Sequence, residues 1–221
     1  MILHKLNKLI MSNFPDFLNL ILDSEKLIAY GGLTLLLLIV FAETGLFFGF
    51  FLPGDALLFS SGLLCGNELF EVNIFVLLFS VTLAAFIGNA VGYFSGKMLG
   101  KKLFTKDDSL FFKKRHIEKT KSFYEKYGGT SLIAARFLPI IRTFVPIFAG
   151  AIKMNFWKFS LYNLIGAVLW IFTLIPSGYF LGKQYPELIN KLEYFVLGFV
   201  LVTTIVLIRG TTKLKAQNRL K

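Results

Sequence analysis

The sequence predicts an all-α integral membrane protein. It is read as an inverted repeat of a re-entrant helical hairpin plus a transmembrane helix, with a further C-terminal transmembrane helix. Three observations predict this. The chain is 55% hydrophobic, in several long uncharged runs. Two of its apolar stretches are interrupted by both prolines and charges. Two matches then recur at one offset of 86 residues: FLP at 51–53 and 137–139, and GYFSGK at 92–97 against GYFLGK at 178–183.

Residues 1–28 place Ile2, Leu3, Leu6, Leu9 and Ile10 at helical spacing with Lys5 and Lys8 between them. They read as an amphipathic segment on the membrane surface, since no uninterrupted apolar core or cleavage site marks a secretory signal. The first repeat spans 29–97. Its hairpin, about 31–66, carries Glu43 and Asp55 inside an apolar run and breaks at Pro53 and Gly54. Its transmembrane helix, 72–97, holds no buried charge, and Gly88, Gly92 and Gly96 lie four residues apart, one stripe where another backbone can approach closely. A basic connector, 98–127, follows, with Asp107 and Ser109 as candidate helix caps.

The second repeat, 128–183, opens with SLIAARFLPIIRTFVPIFAG at 131–150. About 20 apolar residues span a bilayer, so the length suits a crossing. The content does not, because Pro139 and Pro146 each remove a backbone donor and clash with the preceding turn. Arg136 and Arg142 would each cost at least about 2.5–3.5 kcal/mol at the bilayer centre. Broken backbone at that depth is tolerated where it is buried in protein or lines a wet cavity. A re-entrant hairpin at about 130–152, broken at Pro139 and Pro146, meets these constraints. The competing reading is one kinked helix whose arginines snorkel to an interface. A transmembrane helix at 156–182 follows, with Gly178 and Gly182 as packing glycines and Trp157 and Trp170 as interface anchors. The last crossing is 192–208, and 209–221 is a basic tail.

A hairpin that returns to its own side and one crossing helix leave the second copy starting from the opposite face. The repeat is therefore read as inverted, a plan that places a transported ligand near the midplane. Charge agrees with this. Residues 97–126 hold ten Lys/Arg against four acids, and the tail holds five Lys/Arg and no acid. Both are expected in the cytoplasm. Lys5 and Lys8 then fall outside unless the N-terminal region crosses. Basic patches flanking apolar runs speak for lipid headgroups rather than nucleic acid. One cysteine excludes an internal disulfide and a cysteine metal cluster, and both histidines lie outside the apolar runs. No metal or other cofactor is expected.

The combination of Glu43, F-L-P-G-D at 51–55, G-N-x-x-G-Y-x-x-G-K at 88–97, R-F-x-P-x-x-R at 136–142 and N-x-x-G-x-x-x-W at 163–170 resembles the DedA family, also called the VTT or SNARE-associated membrane family. One departure is Asn89, where many members carry an aspartate. The resemblance implies a multi-pass protein of the bacterial inner membrane that moves undecaprenyl phosphate or a phospholipid between leaflets, driven by the proton motive force. The family's essential acidic pair maps onto Glu43 and Asp55, the expected proton-coupling residues, and its essential arginine pair onto Arg136 and Arg142.

The residues support these roles independently. A guanidinium fork binds phosphate bidentately, so Arg136 and Arg142 are the lipid-phosphate ligands. A desolvated carboxylate can take up a proton near neutral pH. The same four charges could instead be static salt bridges holding the hairpins together. A cation/proton antiporter and a passive lipid scramblase are the alternatives. An enzyme acting on lipid phosphates lacks an intramembrane histidine and a nucleophile–histidine pair. The expected partners are a membrane lipid and protons, with a homodimer left open.

Overall fold

The computed structural model describes residues 24–47, 49, 52, 54–68, 70–105, 129–137, 139–191 and 198. The surface segment before residue 24, the connector from 106, Pro53, the C-terminal crossing apart from residue 198, and the basic tail lie outside these. Six α-helices follow in order: α1 (Ser24–Gly45), α2 (Gly54–Leu64), α3 (Ile74–Thr105), α4 (Thr130–Ala135), α5 (Pro139–Ala151) and α6 (Phe156–Gln184), with a 3₁₀ turn at Pro186–Lys191. No strand occurs among the described residues; one isolated bridge, Asn67 to Phe70, closes the turn after α2.

Two of these helices are long and apolar enough to cross a membrane: Ile74–Met98 of α3, 25 residues, and α6, 29 residues. At about 1.5 Å per residue, 25 residues reach roughly 38 Å, beyond the ~30 Å hydrocarbon core. Only 33% of the most apolar stretch of either helix is buried. The outward side chains are large and apolar, among them Phe75, Phe79, Leu83 and Phe94 on α3 and Leu161, Leu169, Phe172 and Phe180 on α6. Water would leave this surface as a large exposed apolar patch, whereas hydrocarbon matches it.

The helix ends depart from the sequence expectation in informative ways. α3 does not stop at Lys97 but runs on to Thr105, into the segment expected to be connector. α1 is kinked at Gly32, whose φ of 53° and ψ of −151° are open only to glycine. Among the described residues the second proline stretch breaks between α4, which ends at Ala135, and α5, which starts at Pro139, and not at Pro146, which sits inside α5. Pro139 is the first residue of α5, where its missing N–H costs nothing. Pro146 removes one ladder bond from a helix that neighbours hold on one side, a loss such a packed helix accommodates. Pro176 is likewise internal to α6.

The described chain forms two compact units, each discontinuous in sequence. The first takes the start of α1 through Leu35, α2 with its following turn, and α6 from Leu174 onward. Here α2 is buried nearly all round, its two serines Ser60 and Ser61 included. It meets α6 backbone to backbone: a Cβ on Gly62 would lie 2.1 Å from the Ile175 carbonyl oxygen, and one on Gly178 would lie 2.2 Å from that of Phe59. Gly182 faces Leu63 at 2.5 Å in the same way.

The second unit takes α1 from Leu36, then α3, α4, α5 and α6 through Thr173. α5 lies along α3, and α4 packs on α5. The glycines of α3 set the spacing. Gly88 lies against Thr44 and Phe41 of α1, Gly92 against Pro146, and Gly96 against the Ile147 carbonyl. Tyr93, between them in sequence, is buried with Ala149, Met154 and Phe159. Its hydroxyl donates to the Met154 carbonyl, and its ring stacks on Phe159 with centroids 4.9 Å apart.

This packing predicts a graded response to single methyl groups. A Cβ at Gly96 would sit 1.9 Å from the Ile147 carbonyl oxygen, whereas one at Gly92 would sit 3.2 Å from a side-chain carbon of Pro146. Gly96→Ala should therefore cost about 1–3 kcal/mol or more, with Gly92→Ala markedly milder. Thermal unfolding in detergent measures both, and equal losses would contradict this packing.

Candidate functional site

The site is built in the second unit, where three charged side chains are almost fully buried: Glu43 at 1%, Arg142 at 5% and Arg136 at 6% relative exposure. Glu43 stands two residues before the end of α1, which the Gly45–Gly88 contact seats hard against α3. Arg142 lies one turn into α5 and donates from Nη2 to Glu43 Oε1. Residues 99 apart in sequence are thus joined by one buried ion pair. Taking two charges out of water costs several kcal/mol per ion, so such a pair persists only where geometry is good and further groups assist.

Arg136 caps the short helix α4, and its Nη1 donates to both the main-chain oxygen and the Oδ1 of Asn163, each at 2.7 Å. Asn163 is steadied in turn by its Nδ2, 3.5 Å from the Phe86 carbonyl on α3. Gly166, one turn along α6, leaves room for the arginine stem: a Cβ there would lie 3.2 Å from Arg136 Cδ. One further turn along is Trp170, whose ring centroid is 5.8 Å from Arg136 Cζ and 4.5 Å from Arg142 Cζ. Both guanidiniums therefore approach the same buried indole at cation–π range.

Asn163, Gly166 and Trp170 fall at i, i+3 and i+7, one face of α6. The opposite face carries the exposed Leu161, Leu164 and Leu169. A small pocket of about 20 Å³, lined by Asn89, Arg136, Arg142, Pro146 and Asn163 among others, opens at this point. That is room for a water or two. A larger ligand needs the walls to move.

The sequence pattern of the VTT domain matches residues 52–180. The chain belongs to the DedA family. Protein DedA of Escherichia coli K12 is 41% identical over 169 residues, covering 76% of this chain and 77% of that protein. The uncharacterized membrane protein Rv0364 of Mycobacterium tuberculosis H37Rv is 42% identical over 168 residues, covering 76% and 73%. The inner membrane protein YqjA of E. coli K12 is 29% identical over 175 residues, covering 79% and 78%. No solved structure matches. Together with the two lipid-length apolar helices, this makes the chain a DedA-family membrane protein.

Of the charged residues expected in this DedA-family site, Glu43, Arg136 and Arg142 lie in the second unit. Asp55 belongs to the first, half-buried in the opening turn of α2, where a carboxylate also suits the helix dipole. Asn89 is buried in the pocket wall and donates from Nδ2 to the Ala85 carbonyl of its own helix. Two residues take places the sequence did not announce. Trp170, expected as an interface anchor, is 3% exposed and turned to the arginines, while Trp157, at 80%, has an anchor's exposure. Asn163 was visible only as part of a motif. The small residue between them on one helical face is the signal that could have linked both to a buried cation.

Removing one member of a buried pair strands the other. Glu43→Gln should destabilise the protein by about 3–5 kcal/mol, and Glu43→Gln with Arg142→Gln should recover a large part of that loss. A thermal-unfolding double-mutant cycle in detergent checks this; additive losses would mean the pair is not coupled.

Proposed function

We propose that this chain is a multi-pass protein of the bacterial inner membrane that moves a phosphate-bearing lipid, undecaprenyl phosphate or a phospholipid, between leaflets under proton coupling. Arg136 and Arg142 take the headgroup, and Glu43 and Asp55 carry the protons. The observation that carries this reading is the pair of buried guanidiniums. They lie beside one buried carboxylate in a unit whose outer surface is large apolar side chains. Excess positive charge at membrane depth calls for an anion, and guanidinium geometry matches phosphate. The same excess weighs against a path for cations.

The inverted repeat belongs to this proposal. The GYFSGK helix lays Gly92 and Gly96 on α5, the helix after the second break. The GYFLGK helix lays Gly178 and Gly182 on α2, the helix after the first break. Each repeat's long helix thus packs on the other repeat's short one through equivalent glycines. This reciprocity is what two related, interlocked copies produce. In the proposal each broken pair of helices returns to its own face, and the breaks at Gly54 and Pro139 hold the site open.

Ion-pair exchange supplies the coupling. A phosphate that enters competes with Glu43 for Arg142, and protonating the carboxylate releases the guanidinium to the incoming anion. Liposomes carrying labelled polyprenyl phosphate, with and without an imposed pH gradient, test this. Arg142→Lys keeps the charge and loses the fork, so transport should fall about tenfold or more. Asp55→Asn should still bind lipid but lose its response to the gradient. Parent-like transport by Arg142→Lys would remove the headgroup role, and a gradient response in Asp55→Asn would move the coupling elsewhere.

A further inference from the structure

The two arginines are not held alike. Arg142 gives Nη2 to a carboxylate. Arg136 meets no carboxylate among the described residues. It spends Nη1 twice on Asn163, while its Nε and Nη2 are buried and have no hydrogen-bond partner. Those two nitrogens form one edge of the guanidinium, the side-on fork whose parallel N–H bonds fit two oxygens of a carboxylate or phosphate. A buried charged group with two orphaned donors is costly to keep unless something periodically satisfies it. The group also lines the pocket beside Asn89.

We propose that Arg136, seated by Asn163 against Trp170, is the residue that takes the phosphate, through its Nε/Nη2 edge. Arg142 is the arginine exchanged with Glu43. The inference rests on the headgroup reading above and assigns its parts. Asn163 is a positioning residue: it fixes Nη1 from two oxygens of one residue, so the free edge keeps one direction. Its amide is itself steadied from α3 by Phe86. Trp170 forms a wall that tolerates positive charge without offering an oxygen that would compete with the ligand. Gly166 lets the stem pass. A carboxylate in place of Asn163 would neutralise the guanidinium from the anchored side and withdraw its charge from the ligand.

The test uses Trp170 as its own reporter. Trp157 is exposed, and Trp157→Phe in the full chain leaves Trp170 as sole indole. In a phosphate-free detergent the protein is titrated with polyprenyl phosphate, with polyprenyl alcohol and with inorganic phosphate. The lipid phosphate should change Trp170 emission saturably, the alcohol should not, and inorganic phosphate should compete. Arg136→Lys should raise the Kd about tenfold or more, and by more than Arg142→Lys does. Asn163→Asp, nearly the same shape, should weaken binding comparably while thermal stability is kept, which a purely structural asparagine would not produce. Parent-like binding by Arg136→Lys and Asn163→Asp, or a greater loss in Arg142→Lys, overturns the assignment and leaves the headgroup reading standing. A parent that responds to neither phosphate overturns both. A response to inorganic phosphate alone, lost in Arg136→Lys, supports the Arg136 assignment and makes the free ion the ligand.

Discussion

Two buried guanidiniums, one of them paired with the buried Glu43, set the terms for the rest of the second unit. Each charge out of water costs several kcal/mol, and one carboxylate offsets one guanidinium. The remaining charge has to be met by dipoles and by an aromatic face. Asn163 supplies two oxygens, Trp170 supplies the ring for both arginines, and the pocket beside Asn89 leaves room for a water or two. A site of this kind is poorly suited to stability alone, since well-packed apolar residues of similar volume would often do as well or better.

Holding such groups within hydrogen-bond reach requires helices that come closer than ordinary side chains allow. Gly45 against Gly88, and Gly96 against Ile147, bring α1 and α5 onto α3 at backbone contact. That closeness carries Glu43 and Arg142 to one another across 99 residues of sequence. The break between α4 and α5 serves the same end. It leaves Arg136 at the C-cap of α4 and Arg142 within α5, and both guanidiniums meet Trp170 of α6. The outer faces of α3 and α6 are left apolar, so the charges are screened from lipid by the packing itself.

Much of this was legible in the sequence. Uncharged length located α3 and α6, and glycine spacing of four located the contact face of α3. Charges placed improbably in apolar runs pointed to Glu43, Arg136 and Arg142. Proline was a poorer guide. It marked the start of α5 at Pro139 correctly, but Pro146 sits within a continuous helix because neighbouring packing outweighs one lost backbone bond. Trp170 was misread for a general reason. An indole in an apolar crossing suits an interface by composition alone, and only the fold shows that Trp170, midway along α6, turns toward cations. Asn163 carries no charge and has no anomalous position, so its role depends wholly on the arginine it meets across 27 residues.

In the proposed function the buried arginines hold a phosphate-bearing lipid. Native mass spectrometry of the purified chain with its co-isolated lipid tests this most directly. The account predicts an adduct whose mass and fragmentation identify a lipid phosphate, lost when Arg136 and Arg142 are both changed to Gln in a protein that still folds. Retention of the same adduct at parental occupancy in that double variant would contradict it.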